Sequence, residues 1–181
     1  MKSLVLVACL LLTACASQRS LADVSKAESA RMPKTSKPLS SFKDYELKPL
    51  VLSAELQGDT SKSAAAATLE QKLKEKIDPL LVQWRSAPGG ERSGTLVIEP
   101  QLANLRIVSG GARFWVGGMA GDSTIDMDLQ LTEQGSNATI AKVRVGRTAG
   151  GQSGGWTVGK SDRDLYLYVS AIAGQYLQDN Y

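Results

Sequence analysis

The sequence predicts an α+β fold in which two helices cover one face of a mainly antiparallel sheet, in the order β-α-β-β-β-α. Between Thr124 and Arg147, apolar and polar residues alternate on both sides of a turn at Gln134–Asn137, which is typical of a β-hairpin with one dry face. Two other segments repeat apolar residues at spacings of three and four, as amphipathic helices do. Packing these helices on the dry face gives a two-layer sandwich.

Two further strands are predicted from apolar runs that each contain a proline. The run from Phe42 to Ala54 indicates a first strand that Pro49 interrupts, because proline lacks the N–H donor that a sheet ladder uses. The run from Thr95 to Val108 indicates a long strand disturbed at Pro100.

In chain order, one helix is expected between the first strand and the three later strands, and the other helix is expected after them. The first begins after the turn and N-cap candidates at Gly58–Ser61 and carries its apolar stripe as far as Trp84, with a kink or a second helix start expected at Pro79. The second helix is predicted over Asp162–Asn180.

The first residues of the chain predict export. Lys2, an apolar run from Leu4 to Leu12 and small residues before a cut site are the parts of a secretory signal, and the run is too short to span a bilayer as a mature helix. The string Leu12-Thr13-Ala14-Cys15 resembles the lipobox of bacterial lipoproteins. The alternative is an ordinary signal peptide with a chance cysteine.

The lipobox resemblance implies cleavage before Cys15, a diacylglycerol on its thiol and a third acyl chain on its amine. Ala16 follows the cysteine in place of the aspartate that retains lipoproteins in the inner membrane, which implies an outer-membrane protein facing the periplasm. The predicted divisions are a signal peptide over residues 1–14, a lipidated flexible tether over 15–41 and a single α+β domain over 42–181. The tether is rich in Ser, Ala, Lys and Arg and has no sustained apolar period, although a short helix at Leu21–Ala30 stays open.

Composition narrows the possible activities. The chain has no histidine, which removes Ser-His-Asp and Cys-His catalysis and most zinc sites. The part after the signal carries 20 basic and 18 acidic side chains, so no dense basic face for nucleic acid is expected. Cys9 leaves with the signal and Cys15 is lipidated. We therefore expect no catalytic residues, no cofactor, no metal and no intramolecular disulfide.

Two glycine-rich loops flank the hairpin and hold the most unusual residues. They read GGARFWVGGMAGDS and AGGQSGGWTVGKSD. Aromatic, Met and Arg side chains are enriched at protein interfaces, and glycines let another backbone approach closely. The alternative is that these side chains plug the end of the domain's own core. The candidate partner-binding residues are Arg113, Phe114, Trp115, Met119 and Trp156.

Two other motifs suggest enzymatic or nucleotide chemistry. Asp126 and Asp128 lie two apart on a strand and project from one face, as an acid and base pair would, and a Ser-Lys pair stands at Lys160 and Ser161. The alternative is that the aspartates form the wet side of an amphipathic strand. Residues 154–161 also fit G-x-x-x-x-G-K-[ST], but only 20 residues follow Ser161, too few for the strands of a nucleotide-binding sheet.

The arrangement R-x-x-x-G-x-x-A-G from Arg113 to Gly121, followed by the hairpin, resembles an uncharacterised family of Gram-negative outer-membrane lipoproteins defined by a domain of unknown function. The resemblance covers about residues 40–178, and it supplies no catalytic residues. The prediction is a non-enzymatic envelope lipoprotein, a binding or assembly module whose loops contact another envelope protein or the cell wall. The alternative is a periplasmic hydrolase that uses Asp126 and Asp128 or the Ser-Lys pair.

Overall fold

The computed structural model describes residues 20–88, 91–108, 121–149 and 160–181. These residues form one sheet in the order β1-β3-β4-β5, with β2 also paired to β3. β1 and β2 run parallel to β3, whereas β3, β4 and β5 are antiparallel, and the helices pack on one side. The predicted α+β fold is confirmed. The elements are α1 Leu21–Ser29, β1 Asp44–Leu47, β2 Val51–Leu52, α2 Thr60–Ser86, β3 Thr95–Arg106, β4 Ser123–Glu133, β5 Thr139–Ala149 and α3 Lys160–Asp179.

The first predicted strand is divided in two around Pro49, as its sequence indicated. β1 ends opposite Ile98 and β2 begins opposite Gln101, which leaves Pro100 of β3 without a register partner on that side. Both prolines therefore lie at the same break, where the ladder uses no donor from either residue. The disturbance predicted at Pro100 is therefore found on the side of β1 and β2, whereas the register with β4 runs through Pro100 and shifts at Ala103.

The hairpin of β4 and β5 is confirmed. Ile125, Met127, Leu129 and Leu131 of β4 are fully buried, while the residues between them are half-buried on the other side of the sheet. Left-handed backbone in the connecting turn, with φ of 92° at Gly135 and 53° at Asn137, reverses the chain. Glycine and asparagine adopt that conformation at little cost.

Helix α2 is a single helix of 27 residues and continues through Pro79. The Asp59 side chain caps its start by accepting from the backbone N–H groups of Ser61 and Lys62. An internal proline costs about 3 kcal/mol, but burial of large apolar side chains contributes about 1.5–3 kcal/mol each. The buried stripe runs on both sides of the proline, so packing outweighs the break. The stripe consists of Ala66, Leu69, Leu73, Ile77, Leu81 and Trp84.

Helix α3 is the predicted C-terminal cover of the sheet. It contacts β4 and β5 beneath it and α1 and α2 beside it. Val169, Ile172, Ala173, Tyr176 and Leu177 are fully buried. The helix thus joins the sheet to the rest of the helical layer.

Residues 20–41 are folded onto the domain, so the flexible tether predicted over 15–41 is wrong for this part. The open possibility of a helix is confirmed as α1, which Ser20 and Asp23 cap reciprocally. Val24 and Ser29 are buried, and the Ser29 hydroxyl donates to Asp179 at 2.5 Å. Further along, Leu39 is fully buried in the main core.

Hydrogen bonds explain why so polar a segment is ordered. The hydroxyl of Tyr176 donates to the carbonyl of Pro33 at 2.9 Å, and the N–H of Ser36 donates to the carbonyl of Ile140 at 3.0 Å. The N–H of Leu39 donates to the carbonyl of Asn180 at 2.8 Å. The segment is ordered because its hydrogen-bond partners lie far away in the chain, and composition does not reveal such partners.

A substitution inside this segment tests whether residues 20–41 are folded onto the domain. We expect Leu39→Ala to lower the free energy of unfolding by about 2–5 kcal/mol, because a fully buried leucine leaves a cavity. Urea denaturation followed by tryptophan fluorescence measures it. The control is Lys26→Ala on the exposed side of α1, expected within about 0.5 kcal/mol of wild type. A flexible tether would make both substitutions neutral.

Candidate functional site: the outer sheet face and its loop end

The face of β3, β4 and β5 that lies opposite the helices is polar. We call it the outer sheet face. The pairing of the three strands arranges its side chains in rows that each take one residue from β3, β4 and β5. Four of these rows are Glu99-Gln130-Lys142, Gln101-Asp128-Arg144, Asn104-Asp126-Gly146 and Arg106-Thr124-Thr148.

An ion pair between neighbouring strands occupies the middle of this face. Arg144 donates from Nε to Oδ1 of Asp128 at 2.7 Å and from Nη2 to Oδ2 at 2.9 Å. The side chain of Asp128 is 19% exposed and that of Arg144 is 63% exposed. The hydrogen bonds from Arg144 hold the pKa of Asp128 below its usual value, and the same contact raises the pKa of Arg144.

Asp126, in the next row, has a different environment. Its Oδ2 accepts from the amide of Asn104 at 3.0 Å, and its carboxylate lies over Gly146 on β5. A Cβ at position 146 would clash with Oδ1 of Asp126, so the glycine makes room for the carboxylate.

The two aspartates therefore share a face, as predicted, but they are not equivalent. A general acid at neutral pH needs a carboxyl whose pKa is raised, and the pKa of Asp128 moves in the opposite direction. Within residues 20–88, 91–108, 121–149 and 160–181, no group of three or more Asp, Glu, Cys or His side chains could hold a metal ion. The side chains of Lys160 and Ser161 lie outside the described residues.

The residues on both sides of the first glycine-rich loop and the residue before the second, namely Val108, Gly121 and Ala149, lie at one end of this face, which we call the loop end. Ser123 at the start of β4 pairs with Ala149 at the end of β5. The buried Ser123 hydroxyl accepts from the N–H of Val108 at 2.9 Å, which ties the end of β3 to the same place. Gly121 has a φ of 81°, and a Cβ there would lie 2.6 Å from Nη2 of Arg106.

A groove of about 650 Å³ adjoins the loop end. It lies between the start of α2, the end of β3 and α3, and Ile107 beside it is 39% exposed. The groove is lined by residues including Lys62, Ala65, Leu105, Arg106, Ile107 and Tyr166.

The residues predicted to bind a partner lie outside the described residues, and their roles stay predictions. They are Arg113, Phe114, Trp115, Met119 and Trp156. Cys15 lies outside them as well. Sequence reasoning did not find the Asp128–Arg144 pair or the role of Gly146, because both depend on the register between β4 and β5. The signal in the sequence that could have indicated the ion pair is the presence of opposite charges on two strands predicted to be neighbours.

The fold and its polar outer face define a small α+β domain whose sheet has a parallel edge and an antiparallel hairpin. Residues 25–151 match the family model described as a domain of unknown function (DUF4410), and the chain belongs to this family. The match begins within α1 and stops just after β5. It therefore starts earlier and ends earlier than the resemblance over residues 40–178, and it includes part of the segment predicted as a tether.

Solved structures with some likeness have low identity. A PelC dodecamer structure from Paraburkholderia phytofirmans is 8% identical, with a TM-score of 0.42, over 79% of this chain and 94% of that chain. Protein XCC0632 from Xanthomonas campestris is 6% identical, with a TM-score of 0.43, over 80% and 87%. Protein CT253 from Chlamydia trachomatis is 11% identical, with a TM-score of 0.38, over 75% and 98%. Such values carry no implication for function.

A comparison with curated proteins finds none that matches the chain. In the part of the chain that the structure describes, no helix combines the length and apolar character needed to cross a bilayer.

The Asp128–Arg144 pair gives a pH-dependent prediction. The pKa of Asp128 is lower in the folded protein than in the unfolded chain. The pair therefore stabilises the fold fully above the unfolded carboxyl pKa of about 3.9. This contribution is lost as the pH falls through the lower folded pKa. We expect Arg144→Gln to lower the urea midpoint at about pH 6, and the difference from wild type to shrink towards about pH 3.

The matched control is Lys142→Gln, which removes a cation of the same strand and face whose partner across the ladder is the neutral Gln130. Its effect should change much less over this pH range, because Lys142 lowers the pKa of Asp128 far less than the hydrogen-bonded Arg144 does. An Arg144→Gln effect that is equally large at both pH values would contradict a charge-based origin.

Proposed function

We propose that this protein is a lipid-anchored envelope lipoprotein of the outer membrane, facing the periplasm, and that it acts as a non-enzymatic binding or assembly module. Its contact surface is the loop end of the sheet together with the two glycine-rich loops that leave from it. The partner is another envelope protein or the cell wall.

One observation carries the proposed surface. Three residues that flank the loops, Val108, Gly121 and Ala149, lie at a single end of the sheet, and Tyr166 of α3 lines the groove beside it. Loops that start from neighbouring anchor points present their residues to the same partner more easily than loops at opposite ends. The exposed Ile107 and the groove beside it extend this surface onto described residues.

The anchor is supported by the lipobox resemblance at Leu12-Thr13-Ala14-Cys15. Burying acyl chains contributes about 0.8 kcal/mol per methylene, so several chains hold a protein where one chain gives only reversible binding. A non-enzymatic role is supported by the chemistry of the outer sheet face, where the Asp128 carboxylate accepts hydrogen bonds from Arg144 and its pKa is lowered.

A cysteine substitution tests the anchor. We expect Cys15→Ser to lack the acyl mass and to leave the outer-membrane fraction, as measured by mass spectrometry and sucrose-gradient fractionation. Cys9→Ser is the control, because the signal is removed, and it should leave both readouts unchanged. Retention of Cys15→Ser in the outer-membrane fraction without acyl mass would refute the lipid anchor.

In-cell photocrosslinking tests the contact surface. With a photoreactive residue placed in turn at Trp115, Trp156 and Ile107, we expect a discrete protein or cell-wall adduct. Lys72, on α2 and away from the loop end, is the matched control and should give no such adduct. Adducts at Lys72 alone, or none at any site in a correctly anchored protein, would exclude the loop end as the contact surface.

A further inference from the structure

The folded domain begins only five residues after the cysteine that the proposed function lipidates. Ser20 already belongs to the fold, since its Oγ accepts from the N–H of Asp23 at 3.1 Å and its own N–H donates to the Asp23 carboxylate at 3.2 Å. In any conformation, the five peptide units from Cys15 to Ser20 span at most about 18 Å. This segment, which we call the leash, is far shorter than the predicted tether of residues 15–41.

The leash joins the domain on its helical side. Leu21 and Ala22 line a groove of about 300 Å³ with Lys76 and Leu80 of α2 and with Gly174 of α3. The other end of α1 is held near β5, where a Glu28 carboxylate oxygen lies 3.8 Å from a guanidinium nitrogen of Arg147. α1 therefore crosses the outside of α3, and its start is directed away from the outer sheet face.

The dimensions of the domain exceed the reach of the leash. α2 has 27 residues, which corresponds to a length of about 40 Å at 1.5 Å per residue. A path from the start of α1 to the outer sheet face must pass the helical layer, about 10 Å thick, and the sheet with its side chains, about 10 Å more. The leash cannot bring the outer sheet face to the membrane that holds Cys15.

We propose that the anchored domain lies with its helical side against the phospholipid surface and directs its outer sheet face away from the membrane. The surface that meets the lipid is the start of α1 with the exposed side of α2, where Val82 is 63% exposed and lies beside Asp78 and Pro79. This inference rests on the lipid anchor of the proposed function.

The leash, and not charge attraction, sets this orientation. On the exposed part of α2, Lys72 pairs with Glu75 at 2.6 Å and Lys74 pairs with Glu70 at 2.6 Å, so much of the positive charge is already compensated. Anionic lipid attracts clusters of uncompensated basic residues, which these pairs do not provide. The helical side therefore has little membrane affinity of its own.

Labelled full-length lipoprotein tests the orientation. Mature protein has no free thiol besides an introduced one, so Val82→Cys and Lys142→Cys can each carry one fluorophore, on the helical side and on the outer sheet face respectively. Each variant is reconstituted into phosphatidylethanolamine–phosphatidylglycerol vesicles that contain headgroup-nitroxide lipid. We expect several-fold stronger quenching at position 82 than at position 142.

A longer leash provides the matched control. Ten Gly and Ser residues inserted after Ala16 leave the fold and the lipid in place, and the ratio of quenching at the two positions should fall towards one. Equal quenching with the native leash, or stronger quenching at position 142, overturns the orientation while vesicle flotation still shows an anchored protein. Failure of every variant to float, with no acyl mass on Cys15, overturns the anchor and the orientation together.

Discussion

Burial of the apolar side of α3 is the interaction on which the rest of this structure depends. Sheet strands β4 and β5 lie on one side of the helix, and α1 and α2 lie against its other sides. Tyr176 shows how the helix organises its surroundings, because its ring is fully buried while its hydroxyl binds the carbonyl of Pro33. Asn180, directly after the helix, continues this role, because its side chain accepts from the N–H of Thr35 at 3.2 Å.

The attachment of the N-terminal segment to α3 changes how an anchored domain of this kind works. A long flexible tether would let the domain sample many orientations and distances from the membrane. Because residues 20–41 are folded, the distance between Cys15 and the domain is short and the domain has a defined helical side and a defined outer sheet face. In the proposed anchored state, the polar rows of the outer sheet face and the loop end are therefore the surfaces directed away from the membrane.

The same structure shows why one strand pair carries the charged chemistry of the outer sheet face. Ile140 is an extra residue on β5, because Leu131 pairs with Ala141 and Thr132 pairs with Thr139. Without this bulge, the pairing that starts at Thr139 would place Asp128 opposite Val143. With it, Asp128 lies opposite Arg144, and Asp126 lies opposite Gly146, where there is room for its carboxylate.

Local patterns in the sequence by themselves determined the hairpin, the long α2 stripe, the C-terminal helix and the break at Pro49. Each follows from periodicity or backbone chemistry within a few residues. Only the tertiary structure decided that residues 20–41 fold onto the domain, that α2 continues through Pro79, and which residues bind Asp126 and Asp128. These features depend on contacts between residues far apart in the chain and on a one-residue bulge at Ile140, and neither leaves a periodic signal that the sequence alone displays.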